Sequence, residues 1–86
     1  MELVDDGART TVVGPDVANG EVVQHVVKAG TWFGSFPCEG SKFSFVGCTV
    51  APGFDFADFE LGSRRALAEE FPKAVDMITK LTEGLP

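Results

Sequence analysis

The side chains best suited to chemistry are few and scattered along the chain. His25 is the single histidine, so one chain cannot supply a multi-histidine metal site. It could serve as a general base, although a hydrogen-bonded or exposed strand histidine is the more ordinary interpretation. Cys38 and Cys48 form no CxxC pair and have no histidine beside them, which disfavours a reactive thiol. Cys48 is instead expected to be a small core residue.

Three acids follow the corner Ala51-Pro52-Gly53 and alternate with aromatic residues. They are Asp55, Asp58 and Glu60. Two carboxylates in different environments can act as acid and base. Asp55 and Asp58 differ in parity, however, so a regular strand would point them to opposite faces. The alternative is that these acids are solvated or anchor the corner through hydrogen bonds.

A polar and aromatic wall is the best candidate for a ligand site. Gln24 lies mid-strand between valines, so its amide must find partners either in the core or on a ligand. Phe33 and Ser35 share one face of the next segment, and they would line a pocket together with Gln24 if that face points inward. The chain has no glycine-rich phosphate loop, nucleophile elbow or metalloprotease motif. No reaction follows from the residues alone.

Strands are the elements expected to position these residues. The predicted strands cover 2–5, 9–13, 21–28, 31–36 and 42–50, with a second extended segment at 54–61. Asp5-Asp6-Gly7 predicts a hairpin turn between the first two strands. Both faces of 21–28 are apolar with one central polar residue, which favours a sandwich or barrel. Gly47 marks a bulge or a close approach of another backbone.

Two short helices are predicted after the strands. Ser63 is a candidate N-cap for the first helix, and Pro72 suits the first position of the second. Val75, Ile78 and Leu81 form an apolar stripe at helical spacing. Gly84 and Pro86 are expected to end the second helix. The chain is therefore predicted to be a single domain, 1–86, with a β-sandwich part at 1–61 and a helical tail at 62–84.

Composition limits the classes of function. The net charge of −6 argues against nucleic acid, whose binding proteins carry basic patches. The chain has no run of 18 apolar residues, so no membrane span is predicted. The acidic stretch at 1–6 lacks the regions of a signal peptide, and two cysteines do not make a disulfide framework, so a cytoplasmic location is expected. A β part of about 60 residues is small for a closed sandwich. Either a larger domain or a second copy would complete it.

Four stretches together carry a family resemblance: VVGPD (12–16), GEVVQHVVKAGTWFGSFP (20–37), FSFVGCTVAPGFDFADFELGSR (43–64) and FPKAVDMITKLT (71–82). With them the chain resembles one branch of the cupin superfamily, the RmlC-like cupins with a VGCTVAPGFDFxDFEL block, a fifth cupin class of unknown function. The resemblance implies a jelly roll, or double-stranded β-helix, with a ligand cavity between its sheets. It also implies homodimers and, by analogy with sugar-nucleotide epimerases of that fold, a carbohydrate-like or nucleotide-like ligand.

Two departures from the cupin pattern bear on chemistry. The first cupin motif lies upstream of Glu2-Leu3-Val4 in relatives, so the jelly roll is expected to lack its N-terminal strands and the histidines of that motif. In the second motif, G-x5-P-x-G-x2-H, Gly30 matches the inner glycine, while Lys28 replaces the proline and Phe33 the histidine. The resemblance with these departures implies neither a metal centre nor another cofactor.

The motif position of Phe33 implies which face points inward. Thr31, Phe33 and Ser35 would line the cavity with Gln24 opposite, while Trp32 and Phe36 would face a dimer interface or the helical tail. Six residues are thus predicted to bind ligand: Gln24, His25, Thr31, Phe33, Ser35 and Asp55.

Three functions remain open at this point. The first is a cupin that binds a small polar molecule without established catalysis. The second is a metal-independent epimerase or isomerase, whose base would be His25, Asp55, Asp58 or Glu60. The third is a structural or regulatory dimer whose barrel is filled by Phe and Val side chains.

Overall fold

An antiparallel hairpin opens the structure, a computed structural model that describes residues 1–83. Strand β1 (Glu2–Val4) pairs with β2 (Gly7–Arg9) across the loop Asp5-Asp6, with Val4 opposite Gly7. Gly7 has a φ of +135°, a conformation that residues with a Cβ rarely adopt. The predicted hairpin is confirmed, but its return strand begins at Gly7 rather than at residue 9.

Two helices close the described chain, as the sequence predicts. Helix α1 spans Arg64–Glu70, and the Ser63 hydroxyl accepts a hydrogen bond from the Ala66 amide at its start. Pro72 begins a 3₁₀ turn, Pro72–Ala74, that leads directly into α2, Val75–Leu81. The end predicted for this helix at Gly84 and Pro86 lies outside the described residues.

The hydrophobic core joins the hairpin to the helices. Its buried members are Leu3, Leu67, Ala74 and Ile78, and Met1, Trp32 and Phe71 pack against them. Trp32 reaches this core because its segment runs beside β1, where the Leu3 amide donates to the Trp32 carbonyl at 2.9 Å.

The Phe36 ring lies farther along the segment that carries Trp32, with Nζ of Lys80 on α2 3.9 Å from its centroid. Both aromatic side chains therefore face the helical tail. Two alternatives were open for Trp32 and Phe36, a dimer interface and the helical tail, and the described chain shows the second.

Within residues 1–83 the other predicted strands do not extend into full strands, and 31–36 forms a single antiparallel bridge, Phe33 with Glu2. Residues 21–28 contribute one parallel bridge, Val13 with Val22, and 42–54 make no backbone–backbone hydrogen bond within the described chain. A strand exists only where a neighbour supplies partners for its N–H and C=O groups. Without such a neighbour, Val23 and Val26 are exposed rather than buried on two faces, and Gly47 meets no other backbone.

The stretch after the Ala51-Pro52-Gly53 corner also differs from the prediction. Phe56–Asp58 forms a 3₁₀ turn instead of an extended segment. Phe54 and Phe56 meet edge to face with ring centroids 4.9 Å apart, and Phe59 joins them. Cys48 was expected in the core and is exposed, because no second layer covers 42–50.

The chain is more expanded than a closed domain of its length. Its radius of gyration is 13.9 Å, against about 12 Å expected for 86 residues. The described part contains a two-stranded sheet and two helices, so it does not form a complete barrel. No helix within residues 1–83 has the length and apolar character required to cross a membrane.

Candidate functional site

A buried carboxylate marks the most specific polar site of the molecule. Glu2 lies on β1, opposite Arg9 on β2, and forms an antiparallel bridge with Phe33 on its other side. Successive strand residues point to opposite faces, so Leu3 enters the core while Glu2 faces away from it. Because neighbouring segments cover it on both sides, Glu2 is only 4% exposed. A charge buried this far requires partners.

Glu2 has two polar partners, an imidazole and a guanidinium. Its Oε1 lies 2.9 Å from Nε2 of His25, and its Oε2 lies 3.6 Å from a guanidinium nitrogen of Arg9. The hydrogen bond with His25 is the main cause that lowers the pKa of Glu2 from its ordinary 4.5, and Arg9 adds to it against the opposing effect of burial. Glu2 is therefore an ionised acceptor at neutral pH.

The imidazole of His25 is held by Glu2 and still reaches solvent. Its side chain is 30% exposed. Because the ionised carboxylate accepts, Nε2 carries the proton of this hydrogen bond, which leaves Nδ1 as the acceptor of a neutral ring. A carboxylate that orients an imidazole is an arrangement that activates histidine bases.

A large open concavity borders His25. Its volume is about 2230 Å³, and its wall includes all six residues predicted to bind ligand. Small-molecule sites usually measure about 300–1000 Å³, so this space is wider than one ligand requires. Much of the chain borders the concavity, and bordering it does not by itself distinguish the six.

Residues 31–36 present two different faces. Thr31, Phe33 and Ser35 border the concavity, as do their neighbours in this segment, and Phe33 is largely exposed there. Gln24 is exposed next to His25. Of the two alternatives, core or ligand, the described chain leaves the amide outside the core, where it is accessible to water or a ligand.

Asp55 has a local structural role. Its Oδ1 accepts a hydrogen bond from the Ala57 amide at 2.9 Å and caps the turn Phe56–Asp58, as the corner-anchor alternative predicts. Asp58 and Glu60 lie beside it on the concavity wall. Within residues 1–83 no three His, Cys, Asp or Glu side chains cluster as metal ligands would.

Glu2 and Arg9 were not among the residues predicted from the sequence. A two-residue loop at Asp6-Gly7 would place Arg9 opposite Val4, on the same face as Glu2 but two residues farther along β1. The observed loop at Asp5-Asp6 moves the register so that Arg9 lies beside Glu2. The contact with His25 joins residues far apart in the chain and leaves no periodic signal.

Comparison with known proteins agrees with the resemblance seen in the sequence. A family model described as "Cupin superfamily (DUF985)" matches residues 1–62. The match covers the hairpin, the His25 segment and the aromatic corner, and it stops before α1. No curated protein and no solved structure matches the chain.

Proposed function

Because the chain belongs to the cupin superfamily, we propose that it binds a small polar molecule in the cavity of a jelly roll. One observation carries this proposal. On the wall of the concavity, the exposed Phe33 lies beside Glu2, with which it forms a bridge, and the Glu2 carboxylate holds the His25 imidazole at 2.9 Å. Apolar walls with a few placed polar groups are the usual composition of small-molecule sites.

The chemistry of these groups favours a polar, hydroxyl-rich ligand. Amide, imidazole and hydroxyl groups exchange hydrogen bonds with sugar hydroxyls, and the exposed Phe33 ring offers a face for a sugar or a base. The ligand class is therefore carbohydrate-like or nucleotide-like. The net charge of −6 opposes binding of a polyanion such as nucleic acid, and we propose no nucleic-acid partner.

The surrounding architecture is part of the same proposal. We propose one jelly-roll domain over 1–86, with its β part at 1–61 and a helical tail at 62–84, working as a homodimer. The thiols of Cys38 and Cys48 are free, which supports a reducing compartment such as the cytoplasm.

A second candidate function is supported by the contact between Glu2 and His25. A metal-independent epimerase or isomerase needs a base that removes a proton from a carbon beside a carbonyl. The intermediate is then protonated from water, on the opposite face in an epimerase or at the neighbouring carbon in an isomerase. Nδ1 of His25 can accept that proton, and the ionised Glu2 stabilises the imidazolium that forms. The sequence suggests four candidate bases: His25, Asp55, Asp58 and Glu60. Of these, only His25 contacts a buried charged side chain, that of Glu2.

Thermal unfolding with a panel of sugars, nucleotides and nucleotide sugars tests the binding proposal. A ligand at 100 times its Kd stabilises the chain by about 2.7 kcal/mol. Phe33→Ser and Gln24→Ala should abolish that shift, whereas Glu69→Gln, an exposed change on α1, should leave it intact. A panel without any stabilising compound at millimolar concentration, or shifts that survive both wall variants, would refute the proposed site.

Solvent-deuterium exchange into a bound sugar nucleotide tests the second candidate. Exchange should occur in the wild-type chain and fall by about 10²–10⁴-fold in His25→Gln, while the thermal shift persists. Binding without exchange in the wild-type chain would reject the isomerase function and keep the binding function.

A further inference from the structure

The hydrogen bond between Glu2 and His25 has a fixed direction. The two carboxylate oxygens of Glu2 have different partners, since Oε1 lies 2.9 Å from Nε2 of His25 and Oε2 lies 3.6 Å from the Arg9 guanidinium. A guanidinium can only donate, and an ionised carboxylate can only accept. Nε2 must therefore carry the hydrogen of this bond. In a neutral ring, Nδ1 is left with a lone pair and no hydrogen.

Strand register places an aromatic ring next to this pair. Arg9 is directly opposite Glu2 on one side, and Phe33 forms an antiparallel bridge with Glu2 on the other. Residues directly opposite each other share one face, with Cβ atoms about 4.5–5.5 Å apart. Phe33 is thus a neighbour of the carboxylate that holds His25. A ligand ring stacked on Phe33 would bring its edge to the imidazole.

We propose that the ligand donates a hydrogen bond, from an O–H or N–H group, to Nδ1 of His25, and that Glu2 determines this preference. The inference deepens the proposed binding function and rests on it. A sugar ring with hydroxyls or a nucleobase with a ring N–H meets the requirement. A group that can only accept, such as a carboxylate, an ether or a fluorine, would set its lone pairs against that of Nδ1 and is disfavoured.

Arg9 gives a carboxylate and an amide at position 2 opposite effects on the ring. In Glu2→Gln the amide has a single acceptor, its oxygen, and the guanidinium, which can only donate, orients that oxygen toward itself. The amide nitrogen then faces Nε2 of His25 and donates to it, so the ring carries its hydrogen on Nδ1. An amide in place of a carboxylate imposes the other tautomer on an imidazole in this way. Nδ1 becomes a donor, and the preference for a donating ligand is lost.

Nitrogen NMR of the imidazole tests the tautomer. His25 is the single histidine, so both ring nitrogens of a ¹⁵N-labelled full chain can be assigned without ambiguity. At a pH at which the ring is neutral, the wild type and Glu69→Gln should carry the hydrogen on Nε2, and Glu2→Gln should carry it on Nδ1. Glu2→Gln combined with Arg9→Ala should populate both tautomers, because the guanidinium no longer orients the amide.

Titration with matched ligands tests the preference. The probes are glucose and UDP-glucose, each with analogues in which fluorine replaces one sugar hydroxyl at a time. Loss of the hydroxyl that faces Nδ1 should weaken binding to the wild type about 2- to 10-fold, as expected for one neutral hydrogen bond. The same analogue should lose nothing in Glu2→Gln. Hydroxyls that bind elsewhere should lose equally in both chains, so the difference between the chains isolates the contact with His25.

Two results would overturn the inference and keep the binding function. One is a wild-type ring that carries its hydrogen on Nδ1, which needs no variant to be measured. The other is a fluorine series whose losses are the same in the wild type and in Glu2→Gln. A chain that binds neither glucose, UDP-glucose nor any other panel compound would instead reject the binding function, and this inference with it, even if the tautomer is the expected one.

Discussion

The carboxylate of Glu2 lies 2.9 Å from Nε2 of His25, and this contact links part of the chain's stability to the ionisation of Glu2. The pKa of Glu2 is lowered in the fold, so its ionised form stabilises the folded chain. That contribution is fully present above 4.5 and is lost as the pH falls through the lowered folded pKa. Glu2→Gln should reduce Tm at neutral pH, and its difference from wild type should shrink below pH 4.5, measured by circular dichroism.

The control for this prediction is Glu69→Gln. It removes the same charge from an exposed position on α1 and should not change the acid profile. A Glu2→Gln defect of equal size at neutral and acid pH would show that packing, and not ionisation, is responsible.

Arg64 should stabilise the end of α2. Its Nε donates to the Thr82 hydroxyl at 3.0 Å, and a terminal nitrogen donates to the Thr82 carbonyl at 2.9 Å. Arg64→Ala removes both charge-assisted bonds and should cost about 1.5–3 kcal/mol in urea unfolding. Arg65→Ala is the matched control one position away, and as an exposed change it should cost within about 0.5 kcal/mol. Equal losses in the two variants would contradict this role.

Truncation of Ile78 should lower the free energy of unfolding more than truncation of any other core residue. It is 1% exposed, between the hairpin and the helices. Ile78→Val should cost about 0.5–1.5 kcal/mol and Ile78→Ala about 2–5 kcal/mol. Val75→Ala, at an exposed position of the same helix, should cost clearly less. Denaturant unfolding of the three variants measures the series, and a flat series would mean that this core contributes little.

Asp55 should behave as a cap in the absence of ligand. Asparagine caps as well as aspartate does, so Asp55→Asn should leave the unfolding free energy nearly unchanged. Asp55→Ala loses the bond to the Ala57 amide and should cost about 0.5–1 kcal/mol. If Asp55 also binds ligand, Asp55→Asn should weaken the ligand-induced thermal shift without changing basal stability. A basal loss from the asparagine variant would contradict the cap.

The helices were predictable because their signals are local. Ser63 caps α1 and Pro72 leads into α2, and both act within a few residues. The strand signals at 21–28 and 42–50 are equally clear in the sequence, yet a strand also depends on a partner that local pattern does not supply. The family was recognisable from the block that ends at Leu61. The match to the cupin superfamily, over residues 1–62, includes this block.

The candidate site was predictable only in part. His25 and Phe33 could be singled out by residue type and by alignment to the cupin motif. Glu2 depends on a hairpin register that differs by one loop position from the expected one, and on a distant contact with His25. Such pairings are set by tertiary packing, which periodicity does not encode.

The core joins Leu3 to Ile78, and this has a consequence for biosynthesis. The hairpin leaves the ribosome before the helices on which it packs, but an isolated two-stranded hairpin is at best marginally stable. At about 5–20 residues per second, Ile78 follows Leu3 by roughly 4–15 s. The apolar segment 43–50 is made within that interval, before the core exists. The core can therefore form only after α2 has left the ribosome.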